Sequence, residues 1–260
     1  MLIDTHAHLD DRNFDNDRIK VIENARKAGL VAIINVGYDY RTIKSTLELA
    51  EEHDFIFAVI GWHPNEAHRI EEKHYGWIEE GALNNPKVVG IGEIGLDYYR
   101  DRASKEKQQE VFRRQIKLAK RVGLPIIIHD RDAHKDIIDI LREEGASEVG
   151  GIMHSFSGSL ESALEVIKLG FDISFSGPIT FKNAKMPKHV AENIPLENIL
   201  IETDCPYLTP EPFRGKRNEP AYVSYVAEEI ARLRGLSGAE IGRITAKNAL
   251  RKFGLEFSEE

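Results

Sequence analysis

Along the chain, short β-branched runs alternate with longer stretches whose apolar residues recur every three or four positions. Eight runs of the first kind stand at residues 2–8, 31–36, 56–61, 88–94, 125–129, 150–155, 171–176 and 199–204. Helical spacing fills the intervals. In 105–122, Val111, Ile116, Leu118, Ala119 and Val122 form an apolar stripe, and in 132–144 Ile137, Ile138 and Leu141 do the same. A repeated βα order predicts a parallel sheet covered by helices, and eight units is the number that closes an α/β (β/α)8 TIM barrel instead of leaving open edges. Runs such as PIIIH and NILIE are apolar on both faces, as strands buried on both sides require. After the eighth strand, 219–234 and 237–253 read as two helices. The second is opened by Ser237 with Glu240 three residues on, the spacing of a capping box. PYLTPEPFRGKRNEP, between strand and helices, is too rich in Pro and Gly for either element and predicts a loop at the strand's C-terminal end, where barrels carry function. No low-complexity linker interrupts this pattern, so residues 1–260 are expected to form one barrel domain.

Composition narrows the function classes. Hydrophobic residues at 42% and charged residues at 30% describe a globular chain and argue against a disordered or membrane-spanning one. With 35 Lys+Arg against 43 Asp+Glu, the net charge of −8 disfavours wrapping nucleic acid by charge alone, but leaves nucleic acid open as a substrate held through metal ions or a local basic patch. The lone Cys205 cannot form an intramolecular disulfide, and MLIDTHAHLD lacks the features of a signal peptide, so a reducing cytoplasm is the expected compartment.

Asp4, His6 and His8 occupy alternate positions of the first strand and are expected to share one face, with Ile3, Thr5 and Ala7 on the other. Two imidazoles and a carboxylate inside a barrel need a partner, and a divalent ion is one. HxH alone is a weak signal. The other strands strengthen it, because ligand types recur where apolar runs end: Glu93 in VGIGEIG, His129 in PIIIHD, His154 in GIMHSF and Asp204 in ILIETD. In a barrel those C-terminal ends converge on one mouth, and four histidines with two carboxylates suffice for two ions, with Glu93 placed to bridge them. His63 in GWHP also faces the mouth, as an outer hydrogen-bond donor, a phosphate contact or a turn residue packed on Trp62. Arg131, Arg214, Lys216 and Arg217 are the cations available for an anion, and Tyr98 and Tyr99 are aromatics that would stack a base or pack on a helix. His53, His68, His74, His134 and His189 fall in helix or loop patterns and are expected to be solvated. The glycines of VGIGEIG do not match the GxGxxG spacing of a dinucleotide fingerprint.

Taken together, DTHAHLD, GWHP, GEIGLDYY, IIIHDR, MHSFSG, ETDCP and RGKRNEP resemble the TatD family of metal-dependent deoxyribonucleases in the amidohydrolase superfamily, in the family's order and across the whole chain. The resemblance implies two divalent ions, Mg²⁺ or else Mn²⁺ or Zn²⁺: one held by His6, His8, Glu93 and Asp204, the other by Glu93, His129 and His154. Glu93 then takes the bridging place that a carbamylated lysine fills in many relatives. It further implies 3′→5′ exonuclease action on DNA, with RNA as a further substrate class, by metal-activated water. Asp204 is the expected proton acceptor, Glu93 and His63 act beside it, and His63, Arg131, Tyr99 and Arg217 are the expected substrate contacts. No membrane and no obligate protein partner is implied. Two other classes share some of these features: an amide or ester hydrolase of the amidohydrolase type, including a D-aminoacyl-tRNA deacylase, would use the same water on carbon, and a non-catalytic nucleic-acid-binding barrel would need no ligand cluster.

Overall fold

The computed structural model describes residues 1–100 and 102–256. Eight strands, β1 (Leu2–Ala7), β2 (Leu30–Gly37), β3 (Ile56–Ile60), β4 (Val88–Asp97), β5 (Ile126–Arg131), β6 (Gly151–Met153), β7 (Phe171–Phe175) and β8 (Ile199–Ile201), pair in sequence order. All seven pairings are parallel, and the helices lie between successive strands. The ring closes between β8 and β1: Ala7 bridges Cys205, the Thr5 hydroxyl donates to the Ile201 carbonyl, and the Asp204 amide donates to the His6 carbonyl at 2.8 Å. The fold is the (β/α)8 barrel that the repeat predicts.

Helix boundaries follow local chemistry. The fourth helix, Lys105–Val122, starts at an Ser104 cap and stops at Gly123, whose left-handed backbone suits a residue without Cβ. The last helix, Gly238–Phe253 (here α9), carries both arms of the Ser237/Glu240 capping box. The helix expected from residue 219 begins later, at Val223, after a single 3-10 turn at Pro220–Tyr222.

Inside the ring, Ile3, Ala32, Ile34, Val36, Val59, Val89, Ile127, Ile152 and Leu200 form one apolar cluster with Ala246, Ala249 and Phe253 of α9. That helix therefore closes the end of the barrel where the strands begin. Asn248 donates to the carbonyls of Leu196 and Ile199, capping strand-edge acceptors that would otherwise be buried and unpaired. With this end sealed, the other end, where the strands finish, is left for chemistry. No described helix is long and apolar enough to cross a membrane.

Candidate metal centre and active-site mouth

Two breaks in register decide which side chains enter the mouth. In β1, Asp4 pairs with Ile33 and Ala7 with Asn35, so three steps along β1 match two along β2. Ile33 packs outward in the helix-facing core, and the extra residue turns His6 and His8 inward while leaving Asp4 outside. The expectation that Asp4 shares their face is thus corrected: its carboxylate accepts from the Thr203 amide at 2.9 Å and from the Thr203 hydroxyl at 2.5 Å, and burial pushes its pKa up to about 8. In β4, Ile91 pairs with Ile126 and Ile94 with Ile128, again three steps against two, and the extra residue aims Glu93 inward between two outward isoleucines. Gly95 lets β5 approach: its φ is +139°, and a Cβ there would lie 2.1 Å from the His129 carbonyl oxygen. His129 ends its apolar run on inward parity with Ile127. His154 follows immediately after the short β6, and Asp204 lies three residues past the end of the short β8.

The result is a compact set of ligand atoms around Glu93. His6 Nε2 lies 3.3 Å from His8 Nε2 and 3.5 Å from Glu93 Oε2. Asp204 Oδ1 is 3.4 Å from His8 Nε2 and 3.9 Å from His6 Nε2. On the other side, Glu93 Oε1 is 2.6 Å from His129 Nδ1 and 3.7 Å from both His63 Nε2 and His154 Nε2. His6, His8 and Glu93 offer atoms all within 4.8 Å of one another, as do His63, Glu93 and His129, and also His6, His154 and Glu202. The structure therefore brings His63 beside Glu93 and His129, while His154 also reaches toward His6, on which it stacks with ring centroids 3.7 Å apart.

The outer ring nitrogens show which inner ones are free to bind a cation. His8 Nδ1 faces the Val36 carbonyl at 2.9 Å, His129 Nε2 faces Asp97 at 3.2 Å, and His154 Nδ1 lies 2.7 Å from Glu202. Each outer nitrogen faces an oxygen acceptor, the arrangement in which it keeps its hydrogen while the inner nitrogen, once a cation displaces the proton there, turns its lone pair to the cluster. His63 is reversed: its Nδ1 accepts from the Asn65 amide, so its inward Nε2 is a donor. His6 and His8 hold their Nε2 atoms 3.3 Å apart, close enough that a proton or a metal cation must stand between them, and mixed nitrogen and carboxylate donors suit divalent ions of the Zn²⁺, Mn²⁺ and Mg²⁺ kind. The residues fit a divalent metal.

Protons are held strongly at these nitrogens: burial opposes charging His129 and His154, but the Glu93 and Asp97 carboxylates raise the first to about 9, and those of Glu202 and Glu93 raise the second to about 10. Burial alone would raise the Glu93 carboxyl, but the imidazoles of His63, His154 and His129 hold it well below the usual carboxylate range. Burial depresses His6 and His63. It works against protonating His8 as well, yet the hydrogen bond and charge of Asp204 outweigh it and raise His8 to about 9. Metal and proton compete for these nitrogens.

The cluster forms the floor of a cavity of about 750 Å³ lined also by Arg100, Arg102, Arg131, Tyr38 and Tyr207. Arg131 is in the wall, and Tyr99 stands outside it, 64% exposed beneath the Arg131 guanidinium. Arg217 is corrected: it is committed to Asp17 through two 2.7 Å bonds, to Glu219 and to the Asn13 carbonyl, and lies over the Phe14 ring, so its charge ties the loop after β8 to the first helix (Arg18–Lys27) and its preceding turn. His74 is also corrected, because it is buried, stacks on Trp62 at 4.5 Å and accepts from the Glu71 amide as a helix cap. His134 is half-buried against Asp130 at 2.6 Å. Sequence reasoning missed Asp97 and Glu202 as partners of the histidines. Glu202 had a signal, the inward parity it shares with Leu200 and Asp204, whereas Asp97 had none short of the β4 register.

Known proteins are similar to this chain over nearly its whole length. The sequence profile described as TatD-related DNase matches residues 3–254. The Bacillus subtilis (strain 168) protein named uncharacterized metal-dependent hydrolase YabD is 56% identical, with 97% of this chain and 99% of that one covered. The Escherichia coli (strain K12) protein named uncharacterized metal-dependent hydrolase YcfH is 37% identical over 99% and 97%. The crystal structure of YJJV, a TatD homologue from Escherichia coli K12, superposes with a TM-score of 0.92 at 32% identity, covering 98% of each chain. The mouth just described thus sits on a chain that belongs to the TatD-related DNase family of metal-dependent hydrolases.

Proposed function

We propose that the protein hydrolyses phosphodiester bonds of DNA, with RNA as a second polynucleotide substrate, removing nucleotides from a strand end in the 3′→5′ direction. One observation carries this reading: Glu93 directs one oxygen toward His6 and the other toward His129, at 3.5 and 2.6 Å, on the floor of an open cavity. That is the arrangement of a carboxylate bridging two cation sites, and the family's description as DNases supports phosphorus as the electrophile. We assign His6, His8, Glu93 and Asp204 to one ion, and Glu93, His129 and His154 to the other.

When bound, two divalent ions supply Lewis acidity for water activation and for charge on the phosphoryl oxygens. The chain's own groups do the rest. Asp204 fronts the cavity with its ionised carboxylate and accepts the proton of the attacking water. His63, neutral and with Nε2–H turned inward, donates to a non-bridging oxygen as negative charge builds there. Glu202 and Asp97 hold His154 and His129 in the ligating tautomer and orientation.

The test supplies Mg²⁺, Mn²⁺ and Zn²⁺ separately to metal-stripped protein with end-labelled single-stranded DNA, linear and circular. Stepwise shortening from the 3′ end, only with added ion and only on the linear form, is the expected result. Full activity after chelation would overturn the metal assignment, and equal cutting of circles would remove the end-directed action. Turnover of acyl substrates with DNA untouched would move the reaction to carbon.

A further inference from the structure

The mouth has two unlike walls. The segment after β4 and the end of β5 bring Arg100, Arg102 and Arg131 to one side, and the segments after β6, β7 and β8 bring Phe156, Ile179 and Leu208 to the other. Three arginines on one wall run against a net charge of −8. Arg102 stands 3.8 Å from Glu66, a carboxylate it shares with Arg69. Arg100 and Arg131 have no carboxylate partner among the described residues. Asp130, the acid adjacent to Arg131, is engaged by His134 at 2.6 Å. The Arg131 guanidinium lies 4.0 Å above the exposed Tyr99 ring, which fixes the plane of the fork by stacking while leaving its N–H edge unspent.

We propose that Arg100 and Arg131 form a subsite for the phosphate next to the scissile one in a single-stranded polynucleotide, while the terminal base lies against the Phe156, Ile179 and Leu208 wall. The inference rests on the phosphodiesterase reading above. A planar guanidinium suits two oxygens of one phosphate, and a base presents an apolar face whatever its identity, so the two walls match the two halves of a nucleotide chain. A strand entering this mouth is held by its backbone on one side and its end base on the other. The geometry also predicts a length dependence: a dinucleotide has no second phosphate, so it leaves the arginine subsite empty.

The experiment compares kcat/KM for the trinucleotide d(TpTpT) and the dinucleotide d(TpT), using the metal-loaded wild type and an Arg100→Gln/Arg131→Gln variant. Fluorescence anisotropy of labelled dT12 across a salt series in chelator gives a binding readout independent of turnover. Wild type should favour the trinucleotide by about tenfold or more, and the variant should narrow that ratio to about threefold. The slope of log Kd against log salt should fall by about 0.7 for each phosphate contact removed. A variant that keeps the wild-type ratio, or an unchanged salt slope, overturns the subsite. Equal wild-type rates on both substrates overturn it while the phosphodiesterase reading stands, and no cleavage of either overturns both.

Discussion

At the end of the barrel where the strands begin, Asp172 is buried between Arg251 and Lys252 of α9 at 3.4 and 3.2 Å, and Asn198 donates to it at 2.7 Å. At the other end Glu93 is also buried, yet among the described residues its charge partners are all imidazoles. The first carboxylate has partners whose charge is permanent and whose donors point at it. The second sits among groups that are cationic only when protonated, and next to two histidine nitrogens that face each other. One end is satisfied by the chain itself, whereas the other is complete only with a cation supplied from outside. An uncompensated buried polar cluster costs free energy, so the contrast separates the part of the molecule that holds the fold from the part that performs chemistry.

Substitution should pull the two ends apart, most strongly at Asp204. Asparagine keeps the volume but loses the basicity and most of the ligand strength, so Asp204→Asn should lower kcat by about 10²–10⁴. Asp204 is not a member of the inner apolar cluster, so the melting temperature should move by only a few degrees. Rates and melting curves measured together check this. A variant that melts far earlier but turns over normally would reverse the division between the ends.

The converse change is Phe253→Ala in α9. Phe253 is 5% exposed within the inner cluster, and emptying that volume should cost about 3–5 kcal/mol. For a chain of this size that is a fall in melting temperature of roughly 6–20 °C. The folded fraction should retain kcat within about twofold, because the side chain lies at the sealed end. A catalytic loss as large as that of Asp204→Asn, at a temperature where the variant is folded, would mean that packing at the sealed end sets the mouth geometry.

The same division marks what can be seen in the sequence. The sealed end depends on local patterns: the apolar stripe of 105–122 becomes the helix Lys105–Val122, and Ser237 with Glu240 caps α9. At the mouth, the ligand types at strand ends are visible because a barrel gathers strand ends in one place. Their orientation is not, since alternation assumes a period of two, and the extra residue in β1 resets it between Asp4 and Ala7. That misplaces Asp4 while leaving His6 and His8 in the mouth. Arg217 and His74 are hidden for a different reason. Their partners, Asp17 and Trp62, are 200 and 12 positions away, and a basic loop residue or helical histidine looks the same in sequence whether it is solvated or paired.

The smallest effect is expected at Cys205, beside Asp204 yet on the opposite side of the backbone. Its thiol is fully buried among helix-facing apolar residues, and its carbonyl accepts from the His8 amide at 2.9 Å. Burial, with the Asp4 charge adding to it, pushes the thiol pKa well above its ordinary value. Because the nucleophilic form is the thiolate, a thiol that stays protonated at neutral pH and has no solvent access is inert. Cys205→Ala should therefore keep kcat within about twofold and cost about 1 kcal/mol of stability for the sulfur's lost packing. The native thiol should resist a disulfide labelling reagent at pH 8 and react only on unfolding. Rapid native labelling accompanied by loss of activity, with Asp204→Asn still active, would replace activated water by covalent catalysis and place the reaction on the side of the segment after β8 that the barrel turns away from its mouth.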